Sequence, residues 1–110
     1  MVNLSSAAAT LAMGSNVIYC ASKAALDNMT KSLARALAPR IRVVSVSPAL
    51  VDTEFVKSLD QAWHDEQAAR TPMGRLATPD EVAIAVRAVI TSLTFTTGSI
   101  IPCDGGRPLG

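Results

Sequence analysis

The sequence predicts an α/β protein built on a parallel sheet of about three strands with flanking helices. Three observations carry that expectation. A long helical stretch from about 16 to 38 lies between two strand-like runs, a strand–helix–strand succession of the kind that makes parallel sheets. A strong helix start, Thr78-Pro79-Asp80-Glu81, precedes a last β-branched run, Ser99-Ile100-Ile101-Pro102-Cys103. The residues are 49% hydrophobic but only 4% aromatic, so the core must come from Ala, Val, Leu and Ile rather than large rings. At 110 residues the chain is expected to be a single domain at most, with a modest core.

Taken in order, Met1 to Ser6 reads as a short buried strand, and Ala7 to Ser15 as a small-residue loop containing Gly14. The helix that follows can be capped by Asn16 or Ser15. Leu26, Met29, Leu33 and Leu37 repeat at the spacing of a buried stripe. Ala21, Ala24 and Ala25 permit close approach to a neighbour, Lys31 and Arg35 read as a solvated face, and Pro39 stops the helix. Ile41 to Ser47 is a strand ended by Pro48. Residues 54 to 72 are polar and irregular in pattern, with Phe55, Trp63 and His64 among small residues. His64, beside Asp65 and Glu66, is expected at the surface rather than as a base. From Thr78, Val82, Val86, Val89 and Ile90 give an apolar face to about Ser92. Thr96-Thr97-Gly98 is a turn, and Asp104-Gly105-Gly106 closes the last strand as a tight one. There is no internal repeat.

Composition excludes several classes. A formal charge of +1, without a Lys/Arg cluster interleaved with aromatics, predicts no nucleic-acid partner. No apolar run approaches the ~20 residues that span a bilayer, so no membrane is expected. Met1-Val2-Asn3-Leu4 does not open a secretory signal. Cys20 and Cys103 make neither a disulfide framework nor a metal-ligand spacing; no metal is predicted, and a reduced, cytoplasmic setting fits.

The stretch from Ser5 to Lys23 carries the chemistry. Tyr19 and Lys23 are four apart and therefore share a helix face. A free phenol, with a pKa of about 10, exchanges protons poorly at neutral pH. A nearby ammonium favours the phenolate and brings Tyr19 toward the range of general acid–base catalysis. Ser6, ending a strand-like run, can present its hydroxyl to the same space. A tyrosine that exchanges a proton with an oxygen, a serine that orients that oxygen and a lysine that tunes the tyrosine suit carbonyl and alcohol chemistry.

Ser6, twelve intervening residues, Tyr19, three more and Lys23 resemble the catalytic signature of the short-chain dehydrogenases/reductases. The Asn-Leu-Ser-Ser lead-in, Tyr-Cys-Ala-Ser-Lys-Ala-Ala, Ser47-Pro48, Thr53 and Cys103-Asp104-Gly105-Gly106 resemble it too. The resemblance covers nearly the whole chain. It implies the C-terminal half of a doubly wound, Rossmann-like parallel sheet, residues 1–110 being one partial domain that begins in the fifth of seven strands. It implies an alcohol–ketone oxidoreductase, 3-oxoacyl reductase-like by overall similarity, using NAD or NADP. Tyr19 would be the acid–base, Ser6 would bond the substrate oxygen, and Lys23 would tune Tyr19 and bind the cofactor ribose. Tyr19, Lys23, Pro48, Val51 and Thr53 would form the cofactor contacts, Val51 through its backbone and Thr53 through its hydroxyl. Residues 54–72 would be the substrate lid, in which Trp63 either contacts substrate or packs the lid down. Met13 either lines the pocket or packs within its loop, and Asp104-Gly105-Gly106 would lie near the pocket and a subunit interface.

Three positions depart from the family pattern: Ala49 stands for its usual glycine, Val44 for a frequent asparagine, and no glycine precedes the second strand. Gly14, Gly74, Gly98, Gly105, Gly106 and Gly110 do not form a phosphate-binding fingerprint after a strand. The resemblance therefore implies that the N-terminal, adenosine-binding half is absent, and with it the family's catalytic asparagine. The uncovered first strand would pair with that half or with another chain. A homo-oligomer through residues 79–103 is the other expected partner. The alternative function is a truncated, non-catalytic assembly module.

Overall fold

The computed structural model describes all 110 residues. Strand β1 (Val2–Leu4) leads through a one-turn helix α1 (Ala8–Leu11) to the long helix α2 (Val17–Leu37) and strand β2 (Val44–Pro48). Two short helices, α3 (Glu54–Lys57) and α4 (Gln61–Ala69), precede helix α5 (Pro79–Thr91) and strand β3 (Ile100–Cys103), and a 3₁₀ turn spans Arg107–Leu109. The sheet has the order β1-β2-β3 and is parallel throughout, with Val2 opposite Val44, Leu4 opposite Val46 and Val46 opposite Ile101. This is the predicted α/β architecture.

The central strand explains the layering. Successive β2 side chains point to opposite faces. Val44 and Val46, fully buried, meet Val89 of α5 in a core to which Val2, Val82, Ala85, Val86 and Ile101 add half-buried surface. The opposite face carries Ser45, whose hydroxyl lies 2.7 Å from that of Thr30 on α2. Thr30 also donates to the Leu26 carbonyl and accepts from Asn3 Nδ2. The sheet is thus covered on both faces, apolar toward α5 and small and hydrogen-bonded toward α2.

Caps fix the helix boundaries. Asn16, not Ser15, caps α2, its Oδ1 accepting from the Tyr19 N–H at 2.7 Å. The helix stops at Leu37 because Ala38, preceding Pro39, is forced into the extended region. Thr78 and Glu81 form a reciprocal capping box at the start of α5, with Pro79 at its first position. The far end of α5 is held by Arg42, whose guanidinium donates to the carbonyls of Val89, Ile90, Leu93 and Thr96. One side chain preceding β2 thereby anchors the last turn of α5 and the loop after it.

Several expectations are corrected. The first strand is shorter than Met1–Ser6 and half-exposed, with Leu4 52% accessible, because it is an edge strand with only β2 beside it. Residues 7–15 are not all loop: Ala8–Leu11 form α1, the Ser6 Oγ accepting from the Ala8 N–H. On α2 the inward face is led by Cys20, Thr30 and Ala34, and Met29 is 47% exposed. The strand face it meets is serine-rich, so small and polar residues, not the largest apolar ones, allow close packing. Ile90 likewise points outward from α5, and Ala85 packs inward.

Gly105 and Gly106 show why the last turn needs glycine. Both have positive φ, and a Cβ at Gly105 would stand 2.8 Å from Thr71 Cγ2, one at Gly106 3.1 Å from Pro72 Cγ. The turn packs directly on the segment that leaves α4, with the Met73 N–H donating to the Gly105 carbonyl.

Candidate active site

The carboxyl ends of β1 and β2 face Trp63, Gln67 and Arg70 across a cavity of about 560 Å³. Ser6 and Tyr19 both line it, together with Met13, Val51, Trp63 and residues of α4 and the C-terminal turn. Ser6 is placed by the end of β1. Its oxygen is engaged as an acceptor by the Ala8 N–H at 3.1 Å, which leaves the hydroxyl proton free to donate outward. Tyr19 sits in the first turn of α2, fixed by the Asn16 cap, and its side chain is part-exposed to the cavity.

Lys23 lies one turn further along α2. Its Nζ donates to the Leu4 carbonyl at 2.9 Å and stands 5.7 Å from the centre of the Tyr19 ring. An ammonium has three donors, so two remain. Lys23 does not line the cavity itself, nor do Pro48 and Thr53. Pro48 ends β2, its carbonyl accepting from the Ala7 N–H at 2.9 Å. Val51 forms a parallel bridge to Ala77, and Thr53 caps α3, its Oγ1 accepting from the Val56 N–H at 3.3 Å. The structure therefore brings Ser6, Tyr19 and Val51 to one cavity. It sets Lys23 beside Tyr19 and leaves Pro48 and Thr53 in the adjoining segment.

Of the two apolar residues left open, Met13 lines the cavity, and Trp63 both lines it and packs within its own segment, meeting the His64 ring edge-on with the ring centres 6.2 Å apart. His64 is not the surface residue expected: its side chain is 17% exposed, and Nε2 lies 3.4 Å from Asp52 Oδ1, without hydrogen-bond alignment. The reason is tertiary. The sequence places carboxylates at 65 and 66 beside it, but α4 turns His64 inward onto the segment between Val51 and Thr53.

Sequence reasoning missed Gln67, Arg70 and Arg107 as cavity residues. Arg107 Nη2 donates to Gln67 Oε1 at 3.1 Å, a contact across forty positions for which the sequence offers no signal. Asp104, Gly105 and Gly106 lie instead on a neighbouring cavity of about 590 Å³, which shares Ala49, Leu50, Gln67 and Arg107 with the first. Cys103 lies there too; burial, then the charges of Glu81 and Asp104, push its thiol above the ordinary range. No cluster of His, Cys, Asp and Glu has metal-holding geometry, and no helix is long and apolar enough to cross a membrane.

Comparison with known proteins extends this geometry. The family model described as enoyl-(acyl carrier protein) reductase matches residues 1–107. An uncharacterised short-chain type dehydrogenase/reductase of Sinorhizobium fredii is 42% identical, over 96% of this chain and 20% of its own. A 3-oxoacyl-[acyl-carrier protein] reductase of Brucella melitensis superposes with a TM-score of 0.87 at 35% identity, over 96% of this chain and 40% of that one. A small-chain dehydrogenase solved in complex with NADPH superposes at 0.86 and 30% identity, over 99% and 51%. The chain thus spans less than half the length of the curated relatives it matches. With its parallel sheet, the Ser–Tyr–Lys placement and a family match along almost its full length, the chain belongs to the short-chain dehydrogenase/reductase family.

Proposed function

We propose that these residues form the catalytic part of an NAD(P)-dependent oxidoreductase that interconverts an alcohol and a ketone, with a 3-oxoacyl reductase-like substrate as one candidate. The observation that carries this reading is the placement of Ser6 and Tyr19 on one cavity, with Lys23 one turn behind the tyrosine. The family membership and the NADPH-bound relative support it.

The residues fit the nicotinamide–ribose end of such a cofactor. Lys23 keeps two donors for ribose hydroxyls, the Thr53 hydroxyl retains its proton after accepting at the α3 cap, and Val51 lines the cavity wall. The bound cofactor supplies or accepts the hydride. The protein's own work is proton handling and orientation. The Ser6 hydroxyl donates to the substrate oxygen and fixes it near Tyr19. In reduction the Tyr19 O–H gives its proton to that oxygen as negative charge develops there; in oxidation the phenolate takes it back. The Lys23 charge beside the ring stabilises the phenolate.

No glycine fingerprint occurs in these 110 residues, so the pyrophosphate and adenosine would be held by further chain or by a partner. A 110-residue chain alone would then bind the cofactor weakly and turn over little. Homo-oligomerisation through residues 79–103 fits the exposed Ile84, Ile90 and Phe95, and a cytoplasmic setting fits the two free thiols. The same exposed apolar surface and the open edge of β1 favour the second reading, a non-catalytic assembly module.

Two measurements separate the readings. Titration of NADH or NADPH should change nicotinamide fluorescence when the protein is added; an unchanged signal favours the module. Tyr19→Phe should reduce turnover by at least a hundredfold, the lower range of general acid–base effects, with the fold intact. Retained activity in that variant would sink the catalytic assignment.

A further inference from the structure

We propose that the substrate handled at this cavity carries an anionic group, a carboxylate or a phosphate, held by Arg70 and Arg107 while its carbonyl or alcohol oxygen meets Ser6 and Tyr19. The proposal deepens the oxidoreductase reading and rests on it for the reactive end.

The charge of the cavity wall is the starting point. Arg70 and Arg107 line it, no aspartate or glutamate side chain does, and the one acid group on the wall is the carboxylate of Gly110, the last of these 110 residues. Arg107 makes no ion pair with a side chain; its one side-chain contact is the donation to Gln67 Oε1, a neutral amide that orients the guanidinium without neutralising it. A guanidinium has five N–H donors in a rigid fork, so most of its capacity is left for a ligand. The only carboxylate near Arg70 is Glu66, 3.7 Å away on the same helix, with both side chains at least half exposed. Such a pair is screened by water and contributes little.

Both guanidiniums belong to the wall of one cavity, and an anion bound there would accept charge-assisted hydrogen bonds from them. The apolar lining of Leu11, Leu50 and Trp63 lowers the local dielectric and strengthens that attraction. The arginines come from α4 and the C-terminal turn, whereas Ser6 and Tyr19 come from β1 and α2. One ligand bridging them has its reacting oxygen on the sheet side and its charge on the lid side. Of the residues proposed for the cofactor, Lys23, Pro48 and Thr53 lie outside this cavity while Tyr19 and Val51 line it, so a cofactor phosphate is the rival occupant of the arginines.

Trp63, the only tryptophan, lines the same cavity and reports binding without turnover. Its fluorescence is titrated with 4-oxopentanoate, dihydroxyacetone phosphate and the neutral 2-pentanone. At least one of the two anionic ketones should bind about tenfold or more tighter than 2-pentanone, the worth of one charge-assisted hydrogen bond, and which one does so distinguishes carboxylate from phosphate. R70Q/R107Q should erase that preference. If the double variant fails to fold, R107Q and R70Q are tested singly, each with about a tenfold loss expected. Equal binding of all three ketones, or a preference that survives the substitutions, overturns the proposal. So does a variant that weakens NADPH and leaves the anionic ketones unaffected, because the occupant is then a cofactor phosphate. Anion binding that persists in Tyr19→Phe while turnover disappears supports both readings. Anion binding in a protein with no turnover at all supports the arginine site and removes the oxidoreductase reading alone.

Discussion

The β2–α5 frame and the 54–72 segment, the substrate lid that the family resemblance implies, differ in how many independent contacts hold them. In the frame, Val44, Val46 and Val89 are fully buried, Arg42 binds four carbonyls at one end of α5, and a capping box closes the other. In the lid, α4 has no buried residue and α3 has only Val56. Its anchors to the rest of the chain are few: His64 with Asp52, Arg107 with Gln67, and the buried Thr71 packed on the Gly105 turn. Ser6 and Tyr19 stand on the sheet and α2, whereas Trp63, Gln67 and Arg70 stand on the lid. On the proposed function, Ser6 and Tyr19 would need fixed geometry to handle the proton, and the 54–72 segment would need to open to admit the substrate.

The largest effect should come from the frame. Val46→Ala removes two methyl groups from a side chain with no exposure, and it should lower global stability by about 2–3 kcal/mol by denaturant titration. A lid substitution at an exposed position, such as Gln61→Ala, should change it by no more than about 0.5 kcal/mol. Comparable losses from the two would mean that the lid folds as one unit with the frame and that the contrast is wrong.

A smaller and more local effect tests the lid anchors. His64→Ala removes the contact with Asp52 and should raise amide exchange in residues 60–70, leaving the amides of β2 and the second half of α5 at their original protection. If the proposed activity is present, KM should rise more than kcat falls, because Ser6 and Tyr19 stand at the end of β1 and on α2, outside the 54–72 segment. Exchange that accelerates equally in β2 would show that His64 supports the core and not the lid alone.

The same contrast explains what could be read from the sequence. The Tyr19–Lys23 pair and the Thr78–Glu81 cap were legible because local spacing decides their geometry: a helix turn or a reciprocal cap works within a few residues. Ser6, separated from Tyr19 by twelve residues and lying outside α2, came from the family resemblance. Met29 and Ile90 were misplaced because apolar character does not say which face a neighbour will take, and β2 turned a serine-bearing face to α2. The His64–Asp52 and Arg107–Gln67 contacts were not legible at all. Each joins segments whose meeting depends on the whole β2–α5 arrangement, and histidine or arginine beside local carboxylates looks like ordinary solvated surface.

The smallest expected effect lies at the frame's own edge, where α5 begins beside the Arg75 loop. The Glu81 carboxylate is lowered from an ordinary 4.5 to about 2, first by the Arg75 hydrogen bonds, 2.6 and 3.0 Å to its two oxygens, then by the Thr78 N–H at 2.9 Å. A carboxyl depressed in the folded state contributes stability that is present above its unfolded value and lost as pH falls through the folded one. The cap should therefore hold at pH 5 and weaken between about 4.5 and 2. Glu81→Gln should remove that dependence at the start of α5, since the amide still accepts from Thr78 but carries no charge for Arg75. The carboxyl carbon of Glu81, followed by NMR, should titrate near 2, and protection of the first-turn amides, corrected for intrinsic rates, should fall with it. A midpoint above 4 would mean that Arg75 does not hold the carboxylate in solution. The frame's advantage at this end would then rest on Thr78 and Pro79 alone, and the contrast with the lid would narrow to the buried valines and Arg42.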